Sequence, residues 1–212
     1  YALGGLQADG QLNSDLYRFD NDANTWSAIT PASGSTPGVS YAAGTGVNGT
    51  VYVAGGQDAS GVTGDLWAYD VAGNSWSTLA PMSEPVHSAA IVNDGTSLYL
   101  FGGMEADGSL SDDTQIYDIA SGMWSFGAKL PRRHLSGNTG GSQARAGATA
   151  AFDGHVAYML GGTTNATTLE GSTDAFVYIP QTDVWIGIPA LSEAVVYAAS
   201  SFLDNQVDVF GG

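Results

Sequence analysis

The sequence predicts an all-β chain built from repeated four-stranded antiparallel sheets, and three observations carry that prediction. A Gly pair closes a short apolar run five times, in "YALGG", "VYVAGG", "LYLFGG", "AYMLGG" and "VDVFGG", ending at Gly5, Gly56, Gly103, Gly162 and Gly212 at intervals of 51, 47, 59 and 50 residues. An aromatic residue precedes a Trp by seven positions four times: Phe19–Trp26, Tyr69–Trp76, Tyr117–Trp124 and Tyr178–Trp185. The 30 glycines, many in Asn-Gly, Asp-Gly or Ser-Gly pairs, cut the apolar runs to strand length.

Each repeat resolves into four elements. The first strand is rich in Ala and Ser, and the second ends in the Gly pair. The third opens with an Asp (Asp15, Asp65, Asp113, Asp174) and carries the aromatic residue; the fourth carries the Trp. "SAAIVNDGTSLYLFGG" reads as a hairpin turning at Asn93-Asp94-Gly95, and "WAYDVAGNSWSTL" as a second hairpin turning at Ala72-Gly73-Asn74. A sheet this small cannot cover its own apolar faces. Stacking such sheets radially covers them and gives a β-propeller. Tyr and Trp would then bury flat surfaces between blades, at about 2–3 kcal/mol each. The Gly pair suits a place where a neighbouring backbone comes close or where φ is positive.

A Gly pair ending an apolar strand, then Tyr, then Trp seven residues on, resembles the kelch repeat, and the resemblance covers the whole chain. It implies a single domain over 1–212: a kelch-type β-propeller of four-stranded blades at about 1–30, 38–80, 86–128 and 146–190, with a partial unit at 194–212. The fourth repeat departs slightly, with Ile179-Pro180 where the others place Asp20, Asp70 and Asp118. The chain opens on "YALGG" without a Met, and both ends read as second strands. The expectation is a processed product or an excerpt of a larger ring, since kelch rings usually have five to seven blades; the alternative is a chain that closes unusually.

Composition excludes several function classes. A formal net charge of −16 argues against nucleic acid and against docking on anionic lipid, both of which need Lys and Arg. No apolar run reaches the roughly 18 residues of a membrane helix. The absence of Cys removes disulfides, thiolate metal sites and a Cys nucleophile. Galactose oxidase, a copper enzyme related to kelch-like propellers, uses a Tyr–Cys crosslink that this chain cannot form. His87, His134 and His155 lie on different strands and loops, and no nucleophile elbow, phosphate loop or His-Glu-x-x-His is present. "DNDAN" at Asp20–Asn24 resembles half of an EF-hand loop, but Thr25 and Pro31 stand where Gly and Glu are required, so a hairpin turn is expected. The reading is non-catalytic, with no cofactor or metal.

The site expectation rests on the connections between blades. In the kelch family these share a face with the loops between second and third strands, and partners usually bind there. Those loops, "LQADGQLNS", "QDASGVTG", "MEADGSLSD" and "TTNATTLEGST", are acidic and alike, as solvated loops are. From Trp to the next Gly pair the distances are 29, 26, 37 and 26 residues. The long third connection, "KLPRRHLSGNTGGSQARAG", holds four of the five basic residues: Lys129, Arg132, Arg133 and Arg145, with His134 beside them. Arg132, Arg133 and Arg145 are the expected receivers of carboxylates from an acidic segment of a protein partner, because guanidinium offers a planar fork of donors. Arg145 is placed foremost: several kelch proteins carry an Arg at this strand entry, facing the channel mouth. The competing reading is a loop whose bases merely neutralise nearby acids. Two sequons, at Asn48 and Asn165, are no more than composition supplies. Low Lys, abundant Ala, Gly, Thr and Ser, and the absence of a starting Met favour an extracellular or cell-surface protein over a cytoplasmic one. An enzyme with a pocket of Asp and Tyr, and a structural component assembling through blade edges, are the rivals.

Overall fold

A computed structural model describes residues 1–132 and 143–212. These residues form strands, turns and loops without a helix. The three interior sheets each have four antiparallel strands in sequential order. They comprise Ala43–Val47, Thr50–Ala54, Leu66–Asp70 and Ser75–Leu79; then Ala90–Asn93, Ser97–Phe101, Thr114–Asp118 and Met123–Phe126; then Ala146–Phe152, Ala157–Thr163, Ala175–Ile179 and Val184–Gly187. The first sheet has three strands, Ala2–Leu3, Leu16–Asp20 and Thr25–Ile29; the fifth has two, Ala199–Leu203 and Gln206–Phe210. The innermost strands, beginning at Ala43, Ala90, Ala146 and Ala199, pack side by side around a channel. This is the predicted propeller architecture.

The core lies in layers between blades. Tyr69 and Trp76 join Leu16, Val39 and Val53; Tyr117 joins Tyr52, Leu66 and Leu100; Tyr178 joins Tyr99, Phe101 and Met159. The seven-residue spacing has a simple cause. Each aromatic stands opposite its Trp across a hairpin, with ring centroids 5.0–5.2 Å apart. Two of the Trp Nε1 groups then donate to the preceding blade, Trp124 to Ala80 O at 2.8 Å and Trp185 to Ala128 O at 3.0 Å, whereas the buried Trp76 Nε1 has no partner among the described residues.

The Gly pairs fasten one blade to the next. The first N–H of a pair donates within its own blade, to the carbonyl of the Asp that opens the third strand: Gly55 to Asp65, Gly102 to Asp113, Gly161 to Asp174. The second N–H crosses to the following blade: Gly5 to Val39 O, Gly56 to Val86 O, Gly103 to Arg145 O and Gly162 to Val195 O, at 2.8–3.0 Å. A Cβ on the first Gly would overlap that same carbonyl in all four cases. The pair is therefore glycine for close approach as well as for positive φ.

Turns on the opposite face are built by Asp. Asp20 accepts the N–H of Asp22 and Ala23, which makes "DNDAN" a turn, as expected. Asp94 accepts N–H from Thr96 and Ser97 and hydroxyls from Thr96 and Tyr99, all at 2.8 Å. Burial raises the Asp94 pKa, but these donors outweigh it and hold it below the usual carboxylate value; burial and Asp94 push Tyr99 up to about 12. Asp153 is lowered in the same way, by His155, Val156 and Tyr158. A depressed folded pKa contributes stability that is complete above the unfolded value of about 4 and is lost as pH falls through the folded value. Asp94→Asn is expected to cost about 1 kcal/mol at neutral pH and to flatten the acid limb. Denaturation midpoints against pH check this; an unaltered acid limb would contradict it.

Candidate functional site

The site is the channel mouth on the face of the Gly pairs. One residue per blade enters the innermost strand with left-handed backbone: Tyr41 at φ 55, Ser88 at 56, Gly147 at 64 and Tyr197 at 57. They are joined in series. Ser88 N donates to Tyr41 O, Gly147 N to Ser88 O and Tyr197 N to Gly147 O, at 2.7–2.8 Å. Positive φ is costly for bulky residues, and such outliers persist where surroundings enforce them. Here the cross-blade hydrogen bonds enforce them and form a rigid collar.

The collar encloses a bowl of about 190 Å³ with a floor of Ala42, Ala89, Ala148 and Ala198. Tyr41 and Tyr197 stand at its rim, 51 % and 48 % exposed, although the collar backbone is fixed. Tyr41 leans on the His87 ring, 5.9 Å between centroids, and a Cβ on Gly147 would meet the Tyr197 ring. His87 Nδ1 lies 3.0 Å from Ser88 Oγ, and burial lowers its pKa, favouring the neutral ring. Below the collar the channel wall carries small polar groups that tie blades together: Asn93 Nδ2 donates to Thr45 Oγ1, and the Thr149 and Ser200 hydroxyls pair, each at 2.7 Å. Among the described residues no group of His, Asp and Glu could hold a metal ion.

The basic connection is placed differently from expectation. Arg145 does not face the mouth. It is wholly buried, with Nη1 donating to Gly161 O at 2.7 Å, Nη2 on Asp174 Oδ2 at 3.0 Å, and its guanidinium 5.0 Å from the Phe176 ring centroid. Burial draws its pKa below the ordinary value, with Asp174 opposing. The reason is register. The Arg145 carbonyl fastens the preceding Gly pair, so its repeat counterparts are Val39, Val86 and Val195; the Val39 and Val86 side chains are buried in the interblade clusters.

Lys129 is exposed but pairs with Asp112 at 2.5 Å and Asp113 at 3.0 Å, and these carboxylates raise its pKa. Leu130 is fully buried, and its carbonyl receives Gln143 N at 3.0 Å, closing the base of the connection. Arg132 is exposed and, among the described residues, without an ion pair. Arg133 and His134 lie outside the described residues. Of the sequons, Asn48 is exposed and donates to Gly95 O at 3.3 Å; Asn165 is exposed and accepts the N–H of Thr167 and Thr168. The alike loops between second and third strands satisfy themselves: Asp9 accepts Gln11 N, Asp58 accepts Ser60 N and Asp107 accepts Ser109 N.

Sequence reasoning missed Tyr41, Ser88 and Tyr197. A signal existed in "YAA" at 41–43, "SAA" at 88–90, "GAT" at 147–149 and "YAA" at 197–199, one per repeat at one position.

Comparison with known proteins agrees with this architecture. No curated protein matches the chain in sequence. The solved structure of YjhT superposes with a TM-score of 0.73 at 19 % identity, covering 99 % of this chain and 73 % of that one, which is a likeness of fold. The family model of the Attractin/LZTR1 β-propeller matches residues 1–212. With the repeat, the radial sheets and the match all spanning the same residues, the chain belongs to the Attractin/LZTR1 β-propeller family.

Proposed function

We propose that the chain is a non-catalytic protein-interaction module that receives a partner at the channel mouth. One observation carries the reading: two half-exposed tyrosines are held on a hydrogen-bonded collar around a methyl-floored bowl. Exposed rigid aromatics are what interfaces use as anchors, because they bury large area at small entropic cost. A bowl of about 190 Å³ accommodates one apolar side chain of a partner loop or tail. Arg132, on the connection that borders this face, supplies a contact for an acidic residue of the same partner. The exposed sequons fit an extracellular or cell-surface setting, which glycan-sized mass increments on native material would support.

The test uses peptides selected from a displayed random library against the intact chain. Tyr41→Ala and Tyr197→Ala should each weaken the selected peptides by at least roughly tenfold. Arg132→Glu should weaken those with acidic residues and leave thermal stability unchanged. Selected peptides indifferent to all three substitutions would overturn the reading.

A further inference from the structure

An imidazole sits against the collar, between two groups already placed at the mouth. His87 is half-buried, and its backbone is held by two hydrogen bonds: His87 N to Met104 O at 3.0 Å and Met104 N to His87 O at 2.8 Å. Its ring meets the Tyr41 ring on one side, and its Nδ1 reaches Ser88 Oγ on the other. Ser88 lines the bowl, with its left-handed backbone fixed by hydrogen bonds to Tyr41 and Gly147. Tyr41, His87, Ser88 and Met104 are carried by two adjacent four-stranded sheets, those beginning at Ala43 and Ala90. The carboxylates closest along these segments are Glu84, which is exposed, and Glu105, which follows Met104. Burial raises the Glu105 pKa, and Asp107, Glu84 and Asp113 add to it, whereas burial alone lowers that of His87.

We propose that capture at the mouth is proton-coupled: a partner that brings a carboxylate to Ser88 Oγ draws a proton onto His87. This rests on the mouth as the binding surface, and it gives the partner a chemistry, a carboxylate beside the apolar side chain in the bowl. The reason is the direction of one hydrogen bond. A neutral imidazole can either accept from Ser88 Oγ or donate to it, whereas an imidazolium can only donate. Protonation therefore makes Ser88 Oγ the acceptor from Nδ1 and frees the hydroxyl hydrogen for the bowl. A carboxylate there accepts that hydrogen and gains the attraction of the adjacent imidazolium. The Tyr41 ring, 5.9 Å away, favours the same charged form. The sign follows. Burial holds His87 below its ordinary 6.5 in the free chain, so near neutrality the ring is uncharged. A bound carboxylate raises that value. Affinity then increases as pH falls through the bound pKa and levels off below the free one.

Peptides selected from a displayed library at about pH 5.5 test it, with affinities for the intact chain measured from about pH 8 to about pH 5, above the titration of the peptides' own carboxylates. Peptides weakened by Tyr41→Ala or Tyr197→Ala report on the mouth. These should bind roughly tenfold more tightly at the acid end, and their carboxamide analogues should not. His87→Gln should flatten the dependence with circular dichroism unchanged, and Ser88→Ala should erase the preference for carboxylate over carboxamide. Glu105→Gln and His134→Gln should retain the dependence. Titration of His87 by NMR in the parent reads the coupling without a substitution, and its pKa should be higher with peptide bound. Mouth-binding peptides whose affinity is flat or falls on acidification, a dependence that survives His87→Gln, or a bound pKa no higher than the free one would each overturn the proposal and leave the mouth reading standing. Peptides indifferent to Tyr41→Ala, Tyr197→Ala and Arg132→Glu alike would overturn both.

Discussion

Gly102→Ala is expected to be among the most damaging single-methyl substitutions in this chain. The new Cβ would overlap the Arg145 carbonyl, crowd Leu130 Cδ1 at 3.1 Å and Ser111 O at 3.3 Å, and sit on a backbone of φ +62. Left-handed strain, overpacking and a weakened Gly103 N–H bond to Arg145 O act together, at about 4 kcal/mol. For a chain of this size that lowers the melting temperature by about 8–16 °C. Gly95→Ala is the control. Its φ is +94, but nothing lies within 4 Å of its Cβ, so only the backbone term applies, at about 1–2 kcal/mol. Thermal melts of the two variants separate close approach from φ. Equal losses would mean that the carbonyl of the next blade is not what demands glycine.

Arg145→Met should cost about 3 kcal/mol, and the melting temperature about 6–12 °C. The substitution removes the donor held by the Gly161 carbonyl and takes from Asp174 the guanidinium that lies against it in a buried layer. Methionine retains much of the volume over Phe176, so the loss reads the polar contacts. Arg145→Glu should be worse, since it places like charges together. Arg132→Glu, on an exposed side chain, should change stability by less than about 0.5 kcal/mol. A melting series of the three variants checks the ordering. An Arg145→Met variant as stable as the parent would contradict a structural role for its buried polar contacts.

The fold was legible because its signals repeat. Gly pairs at near-constant intervals and a seven-residue Tyr–Trp spacing encode a hairpin register and a blade period, and both survive differences in loop length. The site was legible only in part. Charge counting found the long connection, and the family resemblance set Arg145 foremost at the channel mouth. Lys129 is spent on Asp112 and Asp113, and Arg145 is turned inward because its carbonyl must fasten Gly103. Side-chain direction at that position follows from a cross-blade hydrogen bond, which linear spacing does not display. The mouth tyrosines escaped notice for a similar reason. Their left-handed conformation comes from cross-blade hydrogen bonding, and Tyr, Ser, Gly and Tyr share no local turn chemistry.

The account stands most directly on where a bound peptide touches the chain. Amide hydrogen exchange, with and without a peptide selected against the chain, measures that. The predicted result is added protection around 40–42, 87–89, 147–149 and 196–198, the four entries to the innermost strands, with no change at the turns after Asp20, Asp70 and Asp118. Protection confined to those turns, or to the outer strands, would place the binding surface elsewhere and contradict the account.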